Sequence, residues 1–239
     1  MRLINIDTLE FAEFYDDAIP SYAILSHRWT TDELTYADFR KGRRKESIGY
    51  EKVTRLQEVT QRYNAWLQSV GRPGEVRFIL EAGHEVAVLA ERPVDYMWLD
   101  TCCIDKRSSA ELSEAINAMY SYYHNARICF AHLADVHTTE SDEDALSPEV
   151  ENIMRESVWF TRGWTLQEMI APGRILFCDE EWTFFAHKCR NVSLYGRNYQ
   201  CNELPTTCHV NKTLAEITGV APAVIDSERV GSSALEIFG

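Results

Sequence analysis

Short apolar runs alternate with amphipathic stretches along most of the chain, and this alternation constrains the fold more than any other feature. Tyr22–Trp29 (YAILSHRW) is an apolar run ending in polar residues, the pattern of a buried strand. From Gly49 to about Ser69, Val53, Leu56, Val59, Tyr63, Trp66 and Leu67 fall near one helical stripe, which residues 71–74 (GRPG) break. Tyr96–Thr101 (YMWLDT) reads as a second strand. Ser108 and Glu111 then have capping-box spacing. Leu112, Ala115, Ile116, Met119, Tyr120 and Tyr123 follow as the apolar stripe of a helix. Arg127–Leu133 is a third strand, Ser157–Ile170 a short helix stopped by Pro172 and Gly173, and Arg174–Cys178 a fourth strand. Alternation of this kind favours parallel strands joined by right-handed helical crossovers. The expected fold is α/β: a doubly wound, mainly parallel sheet with helices on both faces.

Other segments are less regular. Residues 75–92 read as a strand plus a helix or as one amphipathic helix. Residues 137–151, rich in Asp, Glu, Ser and Thr, read as an exposed acidic loop. Residues 186–208 show little periodicity and read as a loop, with a short helix near Thr213–Ile217. A chain of 239 residues fits one domain with insertions.

Charge and cysteine usage narrow the function classes. With 37 acidic against 24 basic residues, the net charge is −13, which argues against a broad surface for nucleic acid or anionic lipid. The basic cluster at residues 40–45 (RKGRRK) reads as a solvated turn. No run of about 18 apolar residues exists, so no membrane span is expected. The N-terminal MRLINIDTLEFAEF lacks the apolar core of a signal peptide. The seven cysteines are odd in number, form no C-x-x-C pair and include two neighbours, which suits reduced thiols in a cytosolic protein. Cys201, Cys208 and His209, with Cys189 or His187, have irregular spacing for a metal site, and no metal is expected.

In a doubly wound sheet, ligands bind beyond the carboxyl ends of the strands. Polar residues gather there: Ser26, His27, Arg28 and Trp29 after the first strand; Asp100, Thr101, Cys102 and Cys103 after the second; Ala134 and Asp135; and Asp179. Arg28 suits a phosphate through its charge and planar fork. His27 has the chemistry of an acid, a base or a hydrogen-bond donor, and a salt-bridged or capped loop is the simpler reading of both residues. Asp100 is placed to bond ribose hydroxyls or to cap the next turn. Cys102 or Cys103 has the chemistry of a nucleophile, with no histidine base near it in sequence. Trp164 and Glu168 are four apart on one helix face, with Phe160 four earlier. An aromatic wall would desolvate that carboxylate and raise its pKa, and a glutamate so held stabilises a cationic transition state. A solvated surface glutamate is the simpler reading of the spacing alone. Glycine-rich phosphate loops of the G-x-G-x-x-G and G-x-x-x-x-G-K-[ST] types are absent.

Five ordered segments carry a resemblance: YAILSHRW at 22–29, Glu33-Leu34-Thr35, WLDTCCIDK at 98–106, SAELSEAINAM at 109–119 and WFTRGWTLQE at 159–168. Together they resemble a fungal heterokaryon-incompatibility (HET) domain over about residues 20–182. HET domains are similar to TIR domains, and RGWTLQE resembles the TIR helix in which a tryptophan precedes the catalytic glutamate by four. The resemblance implies a flavodoxin-like, TIR-like sheet, with an insertion at about 70–93 and a C-terminal extension at 183–239. The tail VGSSALEIFG departs from the family pattern.

Several TIR domains cleave NAD between nicotinamide and ribose. The resemblance therefore implies NAD as substrate, with no metal, and Glu168 as the catalytic residue. Ser26, His27, Arg28, Trp29, Asp100, Cys102 and Trp164 would bind the nucleotide, Arg28 at a phosphate and Trp164 as a wall for nicotinamide or ribose. It equally implies a second role, a non-enzymatic assembly module that triggers cell death. Both roles carry the expectation of a cytosolic fungal protein in self/non-self recognition that oligomerises on activation and meets other cell-death signalling proteins. A nucleotide sensor without turnover is a third class.

Overall fold

The computed structural model of the chain describes residues 1–15, 18–70, 76–81, 84–89, 93–138, 146–189, 192–194, 197–199 and 208–226. The tail at 227–239 and Cys201 lie outside the described residues. The chain opens with strands β1 (Arg2–Asn5) and β2 (Phe11–Glu13). The apolar run at 22–27 is β3 (Tyr22–His27), all six of whose residues are buried. It lies inside a sheet covered on both faces, so the polar-apolar alternation of a half-exposed strand is missing.

After β3 come helices α1 (Tyr36–Arg40) and α2 (Ile48–Val70), and then a two-stranded unit of β4 (Val76–Glu81) and β5 (His84–Leu89). This hairpin corrects the helical readings of residues 75–92: Val, Phe and Ile cluster there, residue types that suit a pleated surface. β6 (Tyr96–Trp98) is shorter than the expected strand, because Asp100 opens the helical turn α3 (Asp100–Cys103). α4 (Ser109–Asn125) starts at Ser108, whose hydroxyl accepts from the Glu111 amide. The Glu111 carboxylate bonds the Asp105 amide and Arg2 rather than the cap. The α4 stripe is narrower than its spacing suggests: Ala115 and Tyr123 are buried, but Ile116 is 44% exposed.

β7 (Ile128–His132) follows. Residues 148–151, assigned to the acidic loop, begin α5 (Pro148–Glu156) instead, with Ser147 as N-cap and Pro148 at the first turn. Residues 139–145 of that loop lie outside the described residues. The single helix expected at 157–170 is two pieces, a 3₁₀ turn at Val158–Thr161 and α6 (Thr165–Ile170), with Gly163 in the break between them. β8 (Arg174–Cys178) turns into β9 (Phe184–Cys189) through an Asp179 carboxylate that accepts from the amides of Glu181 and Thr183. That turn makes a strand of residues read as loop. β10 (Val192–Leu194), β11 (Arg197–Tyr199), α7 (Asn211–Thr218) and α8 (Pro222–Asp226) complete the described chain.

Seven of these strands form one sheet in the order β2-β1-β6-β3-β7-β8-β9. Its centre, β6-β3-β7-β8, is parallel, while β1 and β9 join its two sides antiparallel and β2 pairs antiparallel with β1. The sheet is therefore mixed rather than mainly parallel. Short turns join β1 to β2 and β8 to β9, which permits only antiparallel pairing, while helical crossovers join the central strands.

Register assigns the faces. β3 pairs with β7 so that Leu25 meets Phe130 and His27 meets His132. These side chains share the α2 face, where Tyr63 packs edge-on against Phe130. Tyr22, Ile24 and Ser26 point the other way. There the Tyr22 hydroxyl donates to the Tyr122 carbonyl of α4, and Ser26 reaches α6. Helices thus cover both faces. Among the described residues no helix is long and apolar enough to cross a membrane.

The start of α2 is clamped under the loop that follows β3. Asp32 accepts from the amides of Ile48 and Gly49, through its carboxylate and its carbonyl. A Cβ on Gly49 would come within 2.1 Å of the Leu34 amide nitrogen and 2.7 Å of the Glu33 carbonyl carbon, both backbone atoms. Gly49→Ala is therefore expected to destabilise the fold by about 1–3 kcal/mol, as overpacking does. Urea unfolding checks this, and an unchanged midpoint would refute the close packing.

Candidate functional site

A cleft of about 700 Å³ opens at the carboxyl ends of β3 and β7. Arg28, Trp29, Lys52, His132, Asp135 and Trp159 are among its lining residues. It forms there because the connections leaving β3 and β7 run in opposite directions over opposite faces of the sheet, leaving a crevice at the strand ends.

The loop after β3 is held from below. The Lys52 ammonium donates to the Arg28 carbonyl at 3.0 Å and to the Glu33 carboxylate. Glu33 also accepts from the Thr30 amide at 2.7 Å and lies 3.7 Å from His27 Nε2. Burial pushes the Glu33 carboxyl up, but His27, Lys52 and the Thr30 amide more than reverse this and bring it to about 2. With its carbonyl so fixed, Arg28 projects an exposed guanidinium at the cleft, and it makes no ion pair or side-chain hydrogen bond among the described residues. Trp29 Nε1 donates to the Asp100 carboxylate at 2.8 Å, and the Lys106 ammonium lies 3.3 Å over the Trp29 ring. On the far wall His132 stacks on Trp182, with ring centroids 4.1 Å apart.

Glu168 stands behind this cleft on the α6 face. It is 5% exposed. Ser26 donates to its Oε2 at 2.5 Å, and Arg162 forks onto both oxygens at 2.9 and 3.0 Å. Trp159 Nε1 donates in turn to the Ser26 hydroxyl at 2.9 Å. A relay thus runs from the cleft wall at Trp159 through Ser26 to Glu168. Burial pushes the Glu168 carboxyl up, against the opposing pull of Arg162 and Ser26.

The expected residues fall into three groups. Ser26 and Glu168 are joined directly, and the charge of Asp100 acts on Glu168. Arg28 and Trp29 line the cleft, with Trp29 bonded to Asp100. His27 and Cys102 are buried instead: His27 faces Glu33, and the Cys102 thiol donates to the Leu34 carbonyl at 3.4 Å. Burial pushes that thiol well above its ordinary range, so it is no nucleophile in this arrangement. Trp164 sits at the N-terminus of α6 and is 51% exposed. The aromatic ring in the Glu168 network is Trp159. Arg162, Trp159, Glu33 and Lys52 were not singled out as site residues by spacing. The first three lie inside the segments already noted for their resemblance, but an arginine six residues before a glutamate has no helical logic once the helix is broken at Gly163. Asp135 and Asp179 serve the backbone: Asp135 accepts from Ser157 and the Val158 amide, and Asp179 holds the β8–β9 turn.

Fold and cleft together define an α/β domain with a crevice at the switch point of its sheet, its apolar lining edged by Arg28, Lys52 and Asp135. The chain belongs to the heterokaryon incompatibility family: residues 22–153, more than half of it, match the family described as Heterokaryon incompatibility protein (HET). That match takes in the β3 loop and Asp100 and ends before Glu168. The chain is also 38% identical over 165 residues to Vegetative incompatibility protein HET-E-1 of Podospora anserina. The matched stretch is 68% of this chain and 10% of that protein, so the chain spans about a tenth of the length of this curated relative. No solved structure matches it significantly.

The half-buried Glu33 and the buried His132 make stability fall in acid, in adjoining pH windows. Glu33 has an ordinary value of 4.5 and about 2 in the fold, so the unfolded chain takes up the proton first. Its contribution is complete above pH 4.5 and is lost toward pH 2. Burial lowers His132 from 6.5 to about 4, so its contribution is lost as the pH falls from 6.5 to 4. His132→Phe, which keeps the ring on Trp182, is expected to flatten the stability profile in the upper window, and Glu33→Gln in the lower. Urea midpoints measured across pH 2–7 check this, and profiles parallel to wild type would contradict it.

Proposed function

We propose that this domain binds NAD in the cleft between β3 and β7 and hydrolyses it at the bond between nicotinamide and ribose, as part of an incompatibility or cell-death signal. The four central parallel strands, taken in chain order, lie 2-1-3-4 across the sheet, the arrangement of a flavodoxin-like, TIR-like core. The name of the Podospora relative supports the signalling role. The single observation carrying the chemistry is the convergence of Arg162 and of Ser26, itself held by Trp159, on Glu168 beside a cleft presenting Arg28.

In this reading Arg28 meets a phosphate, and Trp29, half exposed at the cleft mouth beside it, borders the bound nucleotide. The C1′–N bond of the nicotinamide riboside breaks, its electron pair leaves with nicotinamide as a neutral amine, and the ribose takes on oxocarbenium character. Glu168 bonds the ribose hydroxyls and stabilises that positive charge. Water adds at C1′, giving ADP-ribose and a proton. Oε2 already has two protein donors and Oε1 has one, and the carboxylate is buried, so a ribose hydroxyl reaches the open lone pair of Oε1 only if the surrounding side chains move aside. Clustering of several copies is the event that would loosen this fork, which joins the enzymatic reading to activation by oligomerisation. A second reading also draws on the fork: a buried Glu168 tied to Ser26 and Arg162 serves a non-enzymatic assembly module as structure.

Nicotinamide release separates the two. With enforced oligomerisation, Glu168→Gln is expected to lower the rate about 100-fold or more, with far-UV circular dichroism unchanged. Equal rates in the two proteins would remove Glu168 from the mechanism. Cell killing that survives the substitution would favour the assembly module. Arg28→Ala is expected to raise KM for NAD about tenfold or more with kcat little changed, the loss of one charge-assisted phosphate contact. An unchanged KM would place the phosphates elsewhere.

A further inference from the structure

The opposite end of the fold carries a second chemical cluster that the proposed reaction does not use. His187 and Cys189 are two residues apart on β9, so both project from the same face of the strand. The segment at 208–210 runs beside them: the His187 amide donates to the Cys208 carbonyl at 2.8 Å and the Val210 amide to the His187 carbonyl at 2.9 Å. This short parallel bridge sets His209 opposite His187, with ring centroids 5.2 Å apart. One ligand atom from each of His187, Cys189 and His209 lies within 4.8 Å of the other two. Tetrahedral zinc bonded to nitrogen and sulfur at its usual lengths holds neighbouring ligand atoms about 3.3–3.8 Å apart. Small side-chain rotations close that gap, and the exposed His209 is placed to make them.

We propose that His187, Cys189 and His209 form a binding site for a zinc-type transition metal ion. Two imidazoles and a thiolate suit zinc and exclude magnesium and calcium, which take oxygen ligands. The Cys189 thiol loses its proton on binding, and a water completes four-coordination. Asn211 Nδ2 donates to the Cys189 carbonyl at 2.8 Å and to the Asp226 carboxylate at 2.5 Å, which fixes the backbone of the thiolate ligand. β9 is the last strand of the sheet, and the ion would fasten its outer side to the segment leading into α7. This inference is independent of NAD chemistry.

The site is recognised in the sequence only in part. His209 belongs to the group with irregular ligand spacing, while His187 and Cys189 enter there as alternatives. The strand brings them in together because a two-residue step returns to the same face.

Cobalt(II) and zinc(II) are the probes, added to the chelator-stripped full chain. One equivalent of cobalt is expected to give tetrahedral visible bands with a thiolate-to-cobalt charge-transfer band, and zinc is expected to displace it. Zinc at a hundredfold excess over its Kd is expected to raise Tm by about 5 °C. His209→Ala, at an exposed position, is expected to weaken cobalt binding about tenfold or more, and Cys189→Ser to abolish the charge-transfer band. Binding that keeps its full spectrum in both variants would assign the metal to other cysteines and overturn the proposal. No cobalt spectrum at one equivalent would also overturn it.

Discussion

The burial of β3 between β6 and β7 is the constraint from which the rest of the structure follows. A central strand with parallel neighbours on both sides must be apolar on both faces, and six consecutive buried residues meet that demand. The alternation of side chains along the same strand then sends Ser26 to one face and His27 to the other. Each becomes the anchor of its own network. Ser26 ties the strand end to Trp159, Glu168 and Arg162, and His27 faces the Glu33–Lys52 pair that shapes the next loop. The cleft lies where these two networks meet the carboxyl end of the sheet.

Both networks put ionisable groups out of water, and the compensation differs. Glu33 is surrounded by cationic and donor groups that outweigh its desolvation, so it stays a carboxylate far into acid. Glu168 receives an arginine fork and a hydroxyl, yet burial still dominates and holds its proton affinity up. Two carboxylates near one cleft thus have proton affinities pushed in opposite directions, the kind of separation that functional sites show. Glu33 braces the loop that presents Arg28. Glu168, the more buried of the two, is the group whose environment changes most if a ligand takes over its hydrogen bonds.

The edges of the sheet show a different logic from its centre. Helical crossovers build the parallel core, β9 follows β8 through a short turn, and the N-terminal hairpin docks on β6 from far away in the chain. On the β9 side, α7 and the His187–His209 bridge cover the sheet, so its outer strand is not left open to pairing with other chains. The histidine and cysteine cluster sits at that covering seam.

The sequence by itself determined the order of the four parallel strands along the chain, the long α2 and α4 helices and the Trp159–Glu168 segment as the place to look for an acid. Strong periodicity in a long stretch, as at Val53, Leu56, Val59 and Tyr63, leaves few alternatives, and the Ser108 cap marks its helix start unambiguously. The N-terminal edge of the sheet was illegible, because three- and four-residue strands such as Phe11–Glu13 carry too few residues for a pattern. The spacing of Trp164 and Glu168 presumes an unbroken helix, and the turn at residues 162–164 makes Trp159 the ring in the network instead. Only the tertiary structure decided that Arg162 forks onto Glu168, that Cys102 is sealed beneath Leu34 and that Lys52 supports the Arg28 loop. Those contacts join residues distant in the chain or lying across a helix break. They depend on strand register and helix docking, which no local pattern of residues encodes.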